Sequence, residues 1–171
     1  MNQLLCGSKC IKYILDRCNY KNINVNPKMR WISELAIYIK NNTSLEMIVR
    51  CYNSNLLNDY YKTNSHEFDG FRFLESMLEA GVVLEEEKFT IEKLIEEIEE
   101  YRFIILCVET KKINNDNSMS GGHYVVLEKA KNNIVKVHNP QKKEMAELYF
   151  KYSDIIDLCS DFGSWRILIR E

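Results

Sequence analysis

Histidine is scarce in this 171-residue sequence: there are three, at positions 66, 123 and 138. Any imidazole chemistry must come from one of them. With six glycines and two prolines, there is no glycine-rich stretch to cradle a phosphate and no pair of carboxylates at metal spacing, which argues against nucleotide chemistry. No apolar run approaches the ~18 residues of a membrane span, and no signal peptide precedes Cys6. The expected compartment is therefore the cytosol. Repeats and low-complexity tracts are absent. Net charge is only −2, with a pI near 6.0. That excludes the basic footprint of a nucleic-acid binder or a polybasic membrane anchor, so neither nucleic acid nor membrane is an expected partner.

What is present is ordinary globular material, 46% hydrophobic and 28% charged. A chain of this length makes one domain and buries roughly 70% of its unfolded surface, enough to hold together without disulfides or metal. Six cysteines stand at 6, 10, 18, 51, 107 and 159. In a reducing compartment they are thiols rather than a disulfide framework. Cys6 and Cys10 have no second Cys/His pair at ligand spacing, so no metal is expected, and no cofactor is implied.

Along the chain, helical spacing of Cys10, Tyr13, Ile14 and Arg17 predicts a helix from about Cys6 to Asn19. "NYKNINVNPK" breaks it. "MRWISELAIYIKN" reads as an amphipathic helix with Trp31, Leu35, Tyr38 and Ile39 on one face. "LEMIVRCY" fits strand or helix, and "NSNLLNDYYK" and "FDGFRFLESMLEAG" read as helical, the latter stopped by Gly81. Thr90 can cap "IEKLIEEIEEY", whose apolar stripe is Ile91, Leu94, Ile95 and Ile98. The acidic residues of "LEEEKFTIEKLIEEIEE" read as its solvated face. Beyond Tyr101 come strand-like runs: "RFIILCVE", "HYVVLEKA", "NNIVKVHNP" and "SWRILIR". Asn132-Asn133 marks a hairpin between the second and third. "EMAELYFKYSDIIDLCSDFG" reads as mostly helical. The pattern predicts an α+β fold, helices first and an antiparallel sheet after.

Two residues stand out against this background. Cys6 opens a helix, where free N–H groups and the helix dipole favour a thiolate, while Cys10 lies a turn inside. His123 follows Gly121-Gly122 and opens a strand at a sheet rim. The hairpin brings it beside His138, Asn139 and Pro140. Alternation lets only one of His138 and Asn139 share its side. Asn139 can accept the Nδ1–H of His123 and fix its tautomer, which leaves His138 dispensable. His66, in "TNSHEFD", reads as a surface residue.

"CGSKCIKYIL" resembles the start of the catalytic helix in C39-like members of the papain-like cysteine peptidase clan. There the nucleophile is followed directly by Gly, a small residue stands four places on, and an apolar helix follows. "GGHYVVLEKAKNNIVKVHNP" is similar to that clan's second block, Gly-His-Tyr-hydrophobic, ending in Asp-Pro or Asn-Pro. The resemblance implies Cys6 as nucleophile, His123 as base, Asn139 as orienting residue and Cys10 as a packing residue. It implies a single papain-like, C39-like domain over 1–171. A helical lobe of about 1–100 would carry the cysteine, and an antiparallel sheet lobe of about 101–171 the histidine and asparagine. The family's glutamine, six residues ahead of the nucleophile, would fall at position 0. Gln3, or Asn2, is the nearest stand-in as oxyanion donor, which suits a substrate already activated. The function implied is acyl transfer through acyl-Cys6, from a free or carrier-bound acyl thioester to an amine acceptor, in the biosynthesis of peptide-like natural products. The alternatives are a peptidase cutting after a Gly-Gly leader and a non-catalytic binding module of the same fold. Lys9, Lys12 and Arg17 are the basic residues near the site that could meet an acidic carrier.

Overall fold

The computed structural model describes residues 5–52, 70–141, 144–159 and 165–171. In chain order the elements are helix α1 (Cys6–Arg17), α2 (Ile32–Asn42), strand β1 (Glu46–Cys51), α3 (Gly70–Glu79), β2 (Val83–Glu86) and α4 (Ile91–Glu100). Then come β3 (Phe103–Glu109), a short α5 (Thr110–Ile113), β4 (Gly122–Lys129), β5 (Ile134–Pro140), β6 (Met145–Lys151), α6 (Tyr152–Leu158) and β7 (Arg166–Arg170). No helix among the described residues is long and apolar enough to cross a membrane.

The fold is α+β, and its strands form one seven-stranded sheet in the order β2-β1-β7-β3-β4-β5-β6. The sheet is mixed, which corrects the antiparallel expectation: β1 and β2 run parallel, and both come from the first hundred residues. Three glutamates follow one another at 85–87, and they hide β2 from a hydrophobicity reading. What seats β2 is an ion pair between ladder neighbours, Arg50 Nε to Glu85 Oε2 at 2.8 Å.

The sheet is covered on both faces, and alternation along each central strand feeds two cores. Phe103, Ile105, Tyr124, Val126, Ile167 and Ile169 pack under α1 and α2. Ile104, Leu106, Val125, Leu127 and Leu168 pack under α4 and α6. Strands buried on both faces read as continuous apolar runs, which is why "FIILCV" shows no alternation.

Several local expectations are met. Thr90 Oγ1 accepts the Lys93 N–H at 3.3 Å and caps α4. Gly81 has φ 71° and ends the segment after α3, a conformation that costs glycine no Cβ clash. Asn132 and Asn133 have φ 61° and 59°, the left-handed pair that a tight hairpin turn with right-handed strand twist requires. Two readings are corrected. The segment from Met145 begins as strand β6, and only Tyr152–Leu158 is helical. Leu148 and Phe150 alternate into the second core, and β5 offers a ladder that outweighs helix propensity. On α4 the buried residues are Leu94, Glu97 and Ile98, so one glutamate of the supposed solvated face is fully enclosed and Ile91 and Ile95 are 40% exposed. The residues "NSNLLNDYYK" and His66 lie outside those described.

Candidate catalytic site

Cys6 is placed by what surrounds the first turn of α1. The Leu5 N–H donates to Pro27 O at 3.1 Å, and Ser8 Oγ donates to Asn26 O at 2.7 Å. The Asn-Pro segment that breaks the sequence between helices thus wraps the tip of α1. Gly7 is needed there, because an added Cβ would lie 3.0 Å from Leu35 Cδ2 and 3.3 Å from Met29 O.

Pairs between β4 and β5 run from Lys129–Val135 to Val126–His138. Beyond that point the tip of α1 enters. Tyr124, two residues before the last paired residue of β4, gives its backbone N–H to the Cys6 thiol, and Cys10 Sγ donates to its carbonyl at 3.4 Å. Cys6 thereby reaches the sheet rim where β4 starts, and its thiol hydrogen-bonds the imidazole of His123. His123 in turn bonds Asn139 through Nε2, 2.7 Å from Oδ1. The three sequence-expected residues are brought together.

One detail differs from expectation. Asn139 meets Nε2 rather than Nδ1. It stands on β5 one step past the last β4 pair. Asn139 is 1% exposed, so its amide is held in place rather than solvated.

The electrostatics favour the charged form of both Cys6 and His123 relative to their ordinary values. Burial alone would raise the Cys6 pKa. The hydrogen bond from His123, the Tyr124 N–H, the charge of His123 and the Gly7 N–H outweigh it, and the thiol lies below its ordinary 9.0. Burial likewise opposes the charged form of His123. The Cys6 hydrogen bond and charge, together with Asn139, raise its pKa above 6.5 against a smaller opposing effect of Lys9. The neighbouring thiols move the other way. Burial and then the charge of Cys6 push Cys107 up to about 12 and Cys10 well above 9.0. One thiol of the three is primed.

Gln3 and Asn2 lie outside the described residues. Lys9, on the same helix face as Cys6, donates from Nζ to the Gln141 carbonyl across the site. Lys12 pairs with Asp16 at 2.5 Å, and the Arg17 guanidinium stacks over Tyr13. His138 is on the other face from Asn139, against α1. The sequence reading missed the Tyr124 peptide and the partners of His138. The first has no side-chain signal. The second could have been read from Tyr13 standing seven residues, two helical turns, after Cys6. Among the described residues no group of His, Cys, Asp and Glu could hold a metal ion. No protein-family model, curated protein or solved structure matches the chain.

Proposed function

We propose that this chain is a papain-like, C39-like thiol enzyme that transfers an acyl group from a thioester, free or carrier-bound, to an amine. The carrying observation is the constellation itself: a thiol at a helix N-terminus with His123 as its hydrogen-bond partner, and His123 Nε2 in turn 2.7 Å from Asn139 Oδ1. That is the nucleophile–base–orienter arrangement of covalent acyl transfer.

The Cys6 thiolate attacks the acyl carbon. The carbon–sulfur bond to the donor breaks, the leaving thiol takes a proton from His123, and acyl-Cys6 remains. An amine then attacks acyl-Cys6 while neutral His123 accepts its proton, and Cys6 departs as thiolate. Asn139 keeps the ring in register through both half-reactions without exchanging a proton. The N–H of Cys6 heads α1 and is a donor for the developing oxyanion. A thioester asks less of such donors than an amide does, since its leaving thiol, with a pKa near ~8.5, departs without prior protonation.

Intact-protein mass spectrometry tests this. An acyl thioester should load Cys6 with one acyl group, and a primary amine should then release it as amide faster than buffer alone releases acid. Cleavage of a Gly-Gly peptide with no amide product would replace this reading with the peptidase. Absence of any acyl-Cys6 would leave the non-catalytic module.

A further inference from the structure

The nucleophile and its partners sit on separate pieces of the fold. Cys6 is on α1, while His123 and Asn139 are on the β4–β5 hairpin. Apolar contact between α1 and the sheet holds them together but is non-directional. Near the tip, Cys10 Sγ on the Tyr124 carbonyl and Lys9 Nζ on the Gln141 carbonyl are directional; further along, another directional tie must fix the helix.

A second polar triangle does this on the helix-covered face of the hairpin. Tyr13 Oη donates to Glu128 Oε2 at 3.0 Å. His138 Nε2 lies 2.9 Å from Tyr13 Oη and makes a short hydrogen bond to the same Glu128 oxygen. The Tyr13 and His138 rings stack with centroids 4.3 Å apart, and His138 is 1% exposed. Each vertex is carried by the element of one catalytic residue. Tyr13 is two turns along α1 from Cys6, Glu128 is on β4 with His123, and His138 is the chain neighbour of Asn139. We infer that Tyr13, Glu128 and His138 are positioning residues that lock α1 against the β4–β5 hairpin and so set the approach of Cys6 to His123. This rests on the reading of Cys6, His123 and Asn139 as the site.

The triangle's charged surroundings are few. Glu147 on β6 lies 3.9 Å from His138 Nδ1 and is tied to Lys136. Arg17 covers the outer face of Tyr13. None of the three residues touches the reacting atoms, so their effect must pass through the geometry of the α1 tip. Tyr13→Phe is the informative variant, since it keeps the ring stack and removes both hydrogen bonds.

The test is the pH profile of Cys6 alkylation by iodoacetamide, read by mass spectrometry in wild type, Tyr13→Phe, Glu128→Gln and a control. Ile155→Val is the control, because Ile155 lies in the core on the other face of the sheet. Tyr13→Phe and Glu128→Gln should move the profile to higher pH, slowing alkylation at pH 6 by about tenfold, as a one-unit shift requires. The control should leave the profile in place even where its Tm falls as far. The inference is overturned if both triangle variants keep the wild-type profile, or if the control shifts equally at equal loss of Tm. It falls together with the site itself if wild-type Cys6 shows no profile below 9.0. A normal wild-type profile with unmoved variants removes the inference alone.

Discussion

At the scale of single residues, Cys6 and Cys10 are alike in chemistry and opposite in setting. Cys6 receives N–H groups from Tyr124 and Gly7 and the His123 imidazole, whereas Cys10 is enclosed and gives its own hydrogen to a carbonyl. Cys6→Ala should therefore abolish acylation, and Cys10→Ala should mainly lower Tm. Activity retained in Cys6→Ala would reverse the assignment. The titration of Cys6 carries a sharper prediction. Burial is the strongest influence on its thiol, and it is outweighed through His123. Removing the imidazole in His123→Ala should move the thiolate absorbance at 240 nm to higher pH, back towards or beyond 9.0. Proton transfer by a positioned base contributes about 10²–10⁴-fold, so turnover in His123→Ala should fall within that range. Asn139→Ala should cost less, because the asparagine orients the ring without exchanging a proton. In wild type, acylation should rise with pH as Cys6 ionises below 9.0. It should fall again as His123 loses its proton above 6.5.

At the scale of elements, the tip of α1 is fixed by close approach as much as by hydrogen bonds. Gly7→Ala places a Cβ against Leu35 methyls, which can give, and against the Met29 carbonyl, which is backbone. Overpacking of this kind costs about 1–3 kcal/mol. The strain falls beside Cys6, so alkylation at neutral pH should slow more than it does in Ile39→Val, a change in the same core. Equal rates in the two variants would refute this. The triangle also links the hairpin to pH. Burial works against the charge of Glu128, yet the bonds from His138 and Tyr13 win and hold its pKa below 4.5. A carboxyl depressed in the folded state stabilises above its unfolded pKa and loses that contribution as pH falls through its folded value. Urea midpoints should therefore drop below pH 4.5 in wild type and drop less in Glu128→Gln. What was legible in the sequence follows from this scale. Helix α1, the Asn-Asn turn, the Thr90 cap and the meeting of His123 with Asn139 across the hairpin depend on short-range spacing and turn chemistry, which sequence carries. Cys6, distant in sequence, could be joined to that pair only through the resemblance of the two motifs. Strand β2, half glutamate, and strand β6, with good helix formers, are strands only because β1 and β5 present ladders to them.

At the scale of the molecule, the α1 brace and the buried charge lie on opposite faces of the sheet. Tyr13 and His138 meet on the face under α1, whereas His123 and Asn139 stand at the rim on the other face, which is also tied down by charge. Glu97 of α4 and Arg166 of β7 are both fully buried. Glu97 accepts Arg166 Nη2 at 2.6 Å and Nε at 2.8 Å, and Arg50 Nη1 at 3.1 Å. Arg166 also lies over Phe89 with 4.6 Å to the ring centroid. One helix and two strands distant in sequence are thereby joined by a single carboxylate. Desolvating such a pair offsets most of its attraction, but removing one partner strands the other. Glu97→Ala should therefore destabilise by about 3–5 kcal/mol in urea unfolding. The double change Glu97→Leu with Arg166→Met should recover a large part of that loss, because it buries no lone charge. The network centres on α4, β1 and β7, and β3 separates it from the β4–β5 hairpin, so in every variant that folds the pH profile of Cys6 alkylation should match wild type. A double variant no more stable than Glu97→Ala would show that the ion pair, rather than the stranded charge, sets the cost. A shifted Cys6 profile would show that the network is coupled to the hairpin through β3.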